Sequence, residues 1–206
     1  MELNEIEEGL YDGVDVDLYA DKRFNYDTME AIRTGLGKGI HPDQYLDITE
    51  HDDTIRALIL GFTHNIDLRD YAKQGFVGLQ LKYILKSIEH NVDVSKVAKV
   101  HYTPGVMHQI VDGLIDGIDI SKYAEDGYGG LVLRHALRAI KNGYDETYLL
   151  NNKLNAKQCY LISDGLRLGL DVSQYADPDM SFEEMQIIKS RLFNEKLRGE
   201  SNEVDK

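Results

Sequence analysis

The sequence predicts an all-α protein: an α-solenoid of seven 26-residue repeats plus a C-terminal capping helix. Three observations carry that expectation. Ala20, Leu46, Ala72, Ala98, Ala124, Leu150 and Ala176 stand 26 residues apart with no insertion between them. A fixed period of this length marks a stacked array of one supersecondary unit. A second column, Gly13, Gly39, Asn65, Asn91, Gly117, Gly143 and Gly169, contains only glycine and asparagine. These two residue types tolerate the left-handed backbone that ends a helix. Upstream of each stop, apolar residues fall at helical spacing, as in Met29, Ile32 and Leu36 or Met107, Ile110 and Leu114. That spacing puts them on one face of a helix.

Each unit therefore opens with a long helix of about three turns. Four positions before the stop lies a small residue: Gly9, Gly35, Gly61, Ser87, Gly113, Ala139 and Gly165. Glycine inside a helix costs about 1 kcal/mol relative to alanine, so close approach of a neighbouring helix is expected there. Next comes Asp15, Asp67, Asp93, Asp119, Asp145 or Asp171, with His41 in the second unit. Aspartate before a short helical run is an N-cap signal, and a helix of one or two turns is expected after it. Some long-helix starts are well marked. Thr103-Pro104 puts proline at the first helical position, and Ser181 with Glu184 makes a capping box. Phe76-Val77-Gly78 and Tyr128-Gly129-Gly130 are poor starts. A last helix is expected from Phe182 to about Lys196, partly apolar at Met185, Ile188 and Leu192, as an end cap requires. Residues 1–196 read as one helical-repeat domain and residues 197–206 as a polar, disordered tail.

Bulk properties narrow the class. The N-terminus has no basic head or apolar core, so no secretion signal is expected. The longest apolar run stops at Gly61, far short of a membrane span. A single cysteine excludes an intramolecular disulfide. A cytoplasmic protein that binds no membrane is expected. The formal net charge is −13, and it is uneven: residues 1–53 carry fifteen acidic and four basic side chains, residues 54–160 eleven and thirteen. Such a balance disfavours direct binding to DNA.

Sites read from the columns are mostly structural. The aspartate column caps short helices. The tyrosine column, Tyr19, Tyr45, Tyr71, Tyr123 and Tyr175, packs the core with hydroxyls at its rim. Cys159 shares a core column with Met107 and Leu133, so a buried, inert thiol is expected. His64 and His90 share a column, but no metal-ligand spacing surrounds them, and no cofactor or metal is expected. Serine, histidine and aspartate fall into no nucleophile pattern, so the chain reads as no enzyme.

The consensus of the columns is Met-x-x-Ile-x-x-Gly-Leu-x-x-Gly-Ile/Val-Asp-Val-Ser-x-Tyr-Ala, best seen at Met107 to Ala124 and Cys159 to Ala176. It resembles the short helical repeats of uncharacterised proteins from Gram-positive bacteria, their phages and mobile elements. The resemblance covers nearly the whole chain and implies no catalytic residues. His41-Pro42 and Asp145-Glu146 depart from it, so those two short helices are expected to be distorted or to face a partner.

The leading functional expectation is a non-catalytic module that binds another protein along an extended repeat surface. The column Glu30, Arg56, Lys82, His108, Arg134, Tyr160 and Gln186 changes chemistry at every step, which suits recognition. Lys82, Lys86, Arg134, Arg138, Lys141 and Tyr160 are its candidate contacts with an acidic partner. The alternative is an acidic nucleic-acid mimic or blocker, anti-CRISPR-like, that inhibits a host defence nuclease. Phage or mobile-element origin, implied by the resemblance, suggests it. Glu5, Glu8, Asp12 and Asp17 would then meet a nucleic-acid-binding enzyme.

Overall fold

A computed structural model describes residues 2–151 and 153–204. Among them every regular element is helical. The long helices are α1 (Glu2–Asp12), α2 (Tyr26–Gly37), α3 (Asp52–Thr63), α5 (Gly78–Glu89), α7 (Pro104–Ile115), α9 (Gly130–Lys141), α10 (Ala156–Arg167) and α11 (Phe182–Val204). From α2 onward each begins 26 residues after the last. Short α-helices α4 (Arg69–Lys73), α6 (Val94–Val97) and α8 (Ser121–Glu125) alternate with them. Elsewhere the short segment is a 3-10 turn: Val16–Leu18, Pro42–Gln44, Glu146–Leu149 and Val172–Gln174.

The glycine/asparagine column ends seven long helices as expected. Gly13, Gly39, Asn65, Asn91, Gly117, Gly143 and Gly169 all have positive φ, from 53° to 79°. The next amide then donates back to the carbonyl of the small residue, as from Ile66 N to Gly61 O (2.8 Å) and from Ile118 N to Gly113 O (2.7 Å). This Schellman closure satisfies carbonyls that a helix end would leave orphaned. The aspartates cap the short segments. Asp15, Asp67, Asp93, Asp119, Asp145 and Asp171 each accept from the amide two residues on. His41 makes no such bond, and buried Pro42 starts its turn instead.

The small column needs a correction. The group that presses on it comes mostly from the chain folding back within the same unit, not from a neighbouring helix. A Cβ at Gly61 would lie 2.7 Å from the Ile66 carbonyl oxygen, and one at Gly113 2.6 Å from that of Ile118. At Gly9 and Gly165 it would collide with the hydroxyls of Tyr19 and Tyr175. Gly35, nearest to Ile59 of α3 at 3.2 Å, is the position where the expected neighbour makes the closest approach. The poor starts have a similar cause. Gly78 and Gly130 begin their helices with no room for a side chain, against the backbones of Asp53 and Gly105.

The chain divides into two compact units, Met1–Pro104 and Gly105–Lys206. In the first, α1 packs on α2, α2 on α3, and α3 on α5. Its core includes Tyr19, Ile32, Tyr45, Ile55, Leu58, Leu68, Leu81 and Ile84. In the second, α9 packs on α10 and α10 on α11. There Leu149, Cys159, Ile162, Tyr175 and Met185 form one cluster. Buried Gln80 and Gln158 tie each unit's long helix to the loop ahead: Gln80 donates to the carbonyls of Val100 and Tyr102, Gln158 to those of Pro178 and Met180. The last helix runs to Val204, beyond the expected end near Lys196. The final two residues of the expected tail lie outside the described residues.

Candidate functional site

The second unit carries a groove built by α7, α9 and α10. One cavity of about 410 Å³ lies between α9 and α10, bordered by His135, Arg138, Asn142, Tyr144, Tyr160, Ser163, Asp164 and Arg167. A second, of about 680 Å³, extends past His108, Asp112, Arg134 and Lys141. His135, Arg138, Asn142 and Tyr160 border both, so the two adjoin. Helical periodicity explains the lining. His108, Arg134 and Tyr160 occupy one column 26 residues apart, and Asp112, Arg138 and Asp164 the column one turn later.

Charge is unevenly neutralised here. Lys141 is ion-paired with Asp116. His108 Nε2 lies 3.1 Å from Asp112. Asp164 is held by Arg167 at 2.7 Å and also by Lys189 of α11. The Lys189 ammonium first, and Arg167 after it, keep the Asp164 carboxyl below the usual range. Arg134 and Arg138 are exposed and, among the described residues, have no ion-pair partner. Between them on α9, His135 hydrogen-bonds Ser163 Oγ through Nδ1 at 2.7 Å. Burial, with Arg134 and Arg138 adding to it, pushes the His135 imidazole down and so favours its uncharged form. Tyr160, 62 % exposed, offers a ring to solvent at the junction.

Of the residues read from the sequence for an acidic partner, Arg134, Arg138, Lys141 and Tyr160 thus share one groove. Lys82 and Lys86 belong to α5 in the first unit and border neither cavity. The acidic set is arranged differently. Arg33 on α2 takes Glu5 (2.9 Å), Glu8 (2.7 Å) and Asp12 (2.6 Å) of α1. Glu5 is 1 % exposed and so is no surface contact, which corrects its expected role. Its hydrogen bond does most to raise the Arg33 guanidinium further above its ordinary value. Asp17 is exposed.

The tyrosine column splits. Tyr19, Tyr45 and Tyr175 are fully buried, whereas Tyr71 and Tyr123 are half-buried. The hydroxyls of the first group lie inside the core, not at its rim. Cys159 is buried, and burial pushes its thiol up. His64 pairs with Glu89. Among the described residues no group of three or more His, Cys, Asp or Glu could hold a metal ion. None of their helices is long and apolar enough to cross a membrane.

The sequence reading missed Tyr144, Ser163 and Arg167. Tyr144 had a signal: it stands just past the stop, where other units place Val14, Ile40, Ile66, Val92, Ile118 and Leu170. Ser163 and Arg167 had none, because their columns mix apolar, acidic and basic residues with no trend: Glu7, Arg33, Ile59, Leu85, Val111, Leu137 and Lys189 for the first, Tyr11, Gly37, Thr63, Glu89, Ile115, Lys141 and Phe193 for the second.

Comparison with known proteins finds no match: no family model, no curated protein and no solved structure aligns with the chain.

Proposed function

We propose that the chain is a non-catalytic, protein-binding α-solenoid of seven repeats and a capping helix, and that its groove receives an extended acidic segment of another protein. The regular helix starts and the seven left-handed stops support the repeat reading. One observation carries the binding reading: Arg134 and Arg138 stand exposed, and without an ion pair among the described residues, beside Tyr160 in a groove crossing three successive long helices. Holding two like charges side by side without counterions stabilises nothing in the free protein. It favours an anionic partner, and aromatic and arginine side chains are the common anchors of such surfaces. The rival reading, an acidic mimic that blocks a nuclease, is supported by the negative N-terminal block, but Arg33 engages three of those carboxylates.

Fluorescence anisotropy with a panel of labelled Asp/Glu-rich 15-mers tests this. Acidic members should bind, weaken with salt, and lose about tenfold or more in affinity to R134E/R138E, a cost of about 1.4 kcal/mol. If no acidic peptide binds, or the reversals change nothing, the groove reading fails.

A further inference from the structure

The cavity between α9 and α10 differs from the rest of the groove in depth, charge and lining. Its apolar floor is Ala139 and Leu166, with the rings of Tyr144 and Tyr160 beside it. At about 410 Å³ it is roomier than a lone carboxylate needs. The charges around it do not balance for a monoanion. Arg138 has no ion pair among the described residues, while Arg167 and Lys189 share the single carboxylate of Asp164. Arg138 and Arg167 in the lining, with Lys189 outside it on the same carboxylate, make three cations against one anion and leave two positive charges. Burial pushes the His135 imidazole down, which favours its uncharged form, so the arginines and Lys189 are the cations that count here. A glutamate side chain brings one negative charge and would leave one cation uncompensated. A phosphate monoester brings about −1.5 to −2 at neutral pH and three acceptor oxygens. The donors to meet those oxygens are present in the lining: two planar guanidiniums, suited to bidentate contact, and, in the tautomer where His135 donates from Nδ1, the hydroxyl of Ser163. The two tyrosine rings can flank an aromatic carrier of the phosphate.

We propose that this cavity is a receptor pocket for one phosphorylated aromatic side chain, phosphotyrosine, within the acidic segment that the groove binds. The inference rests on the groove reading and adds its specificity. Arg138 and Arg167 hold the phosphate, Tyr144 and Tyr160 hold the ring, and Lys189 acts from behind by drawing Asp164 away from the ligand.

The test uses the full chain and three 15-mers of identical acidic sequence, with phosphotyrosine, tyrosine or glutamate at the central position. Phenyl phosphate and adenosine monophosphate serve as competitors. The phosphotyrosyl peptide should bind about tenfold or more tightly than either twin, and phenyl phosphate should displace it. R138Q and R167Q should abolish that preference, while R134Q, outside the pocket but in the groove, should weaken all three peptides alike. Far-UV circular dichroism of each variant establishes that it is folded. Equal binding of the three peptides would overturn the pocket while leaving the groove intact. Failure of all three would overturn both. Preferential displacement by adenosine monophosphate over phenyl phosphate would reassign the cavity to a nucleotide and overturn the side-chain reading.

Discussion

Gly117 isolates one physical cause, and its replacement can be worked out from the structure. Its φ is +76°, and a Cβ built there would meet nothing within 4 Å. Gly117→Ala therefore adds no clash and removes no contact; its cost is that of forcing an L-residue into the left-handed region. That cost is roughly 1–2 kcal/mol, a fall in Tm of about 2–8 °C at 2–4 °C per kcal/mol for a chain of this size. The repeat supplies its own control. Asn65 and Asn91 hold the same conformation at equivalent positions, with φ of 59° and 53°. Gly117→Asn should therefore fall between wild type and Gly117→Ala, because the short polar side chain eases that conformation. Gly113→Ala, four residues earlier, should cost more than Gly117→Ala, since its Cβ would sit 2.6 Å from the Ile118 carbonyl oxygen. Urea unfolding monitored by far-UV circular dichroism at 25 °C measures all three. A neutral Gly117→Ala, or an asparagine as damaging as alanine, would show that the left-handed backbone at this stop is not what sets the cost.

Other single groups give equally definite expectations. Tyr45 Oη is buried without a hydrogen-bond partner, whereas Tyr19 Oη donates to the Glu5 carbonyl at 2.9 Å. Tyr45→Phe should then be neutral or stabilising and Tyr19→Phe should cost about 0.5–1.5 kcal/mol, both read from urea midpoints. Gln158→Leu strips the bonds to the Pro178 and Met180 carbonyls and should destabilise by about 1–3 kcal/mol, with the amide of Asn155 exchanging faster because it loses Gln158 Oε1 as acceptor. Asp164 has a lowered folded pKa, so its pairing with Lys189 and Arg167 contributes fully above the ordinary carboxylate range and is lost as pH falls through the folded value. Asp164→Asn should thus be less stable than wild type at pH 7, with the gap closing in acid; a gap independent of pH would contradict the assignment.

The elements legible in the sequence were those set by local chemistry. A stop limited to glycine and asparagine, an aspartate two residues on, Thr103-Pro104, and Ser181 with Glu184 each act within a few residues, and each forms as read. What escaped depends on the chain returning to itself. Gly78 looks like a helix breaker until the Asp53 backbone is placed against it. Gln80 and Gln158 look like ordinary polar residues until the carbonyls of the next loops arrive beside them. Glu5 looks like one more surface acid until Arg33, 28 residues away, reaches it. The groove was half legible: the variable column led to Arg134 and Tyr160, but Ser163 and Arg167 enter only when α10 is laid beside α9.

If the 26-residue period is the unit in which this chain folds, whole units can be removed without losing register. Deleting one whole period, residues 52–77, joins α2 to α5 in register, so the shortened chain should keep the helicity per residue of the parent and unfold cooperatively, at a lower urea midpoint because one interface has gone. Deleting half a period, residues 52–64, puts every later column out of phase and should abolish the cooperative transition. Whole-period and half-period deletions that lose their circular dichroism signal to the same extent would contradict a 26-residue folding unit.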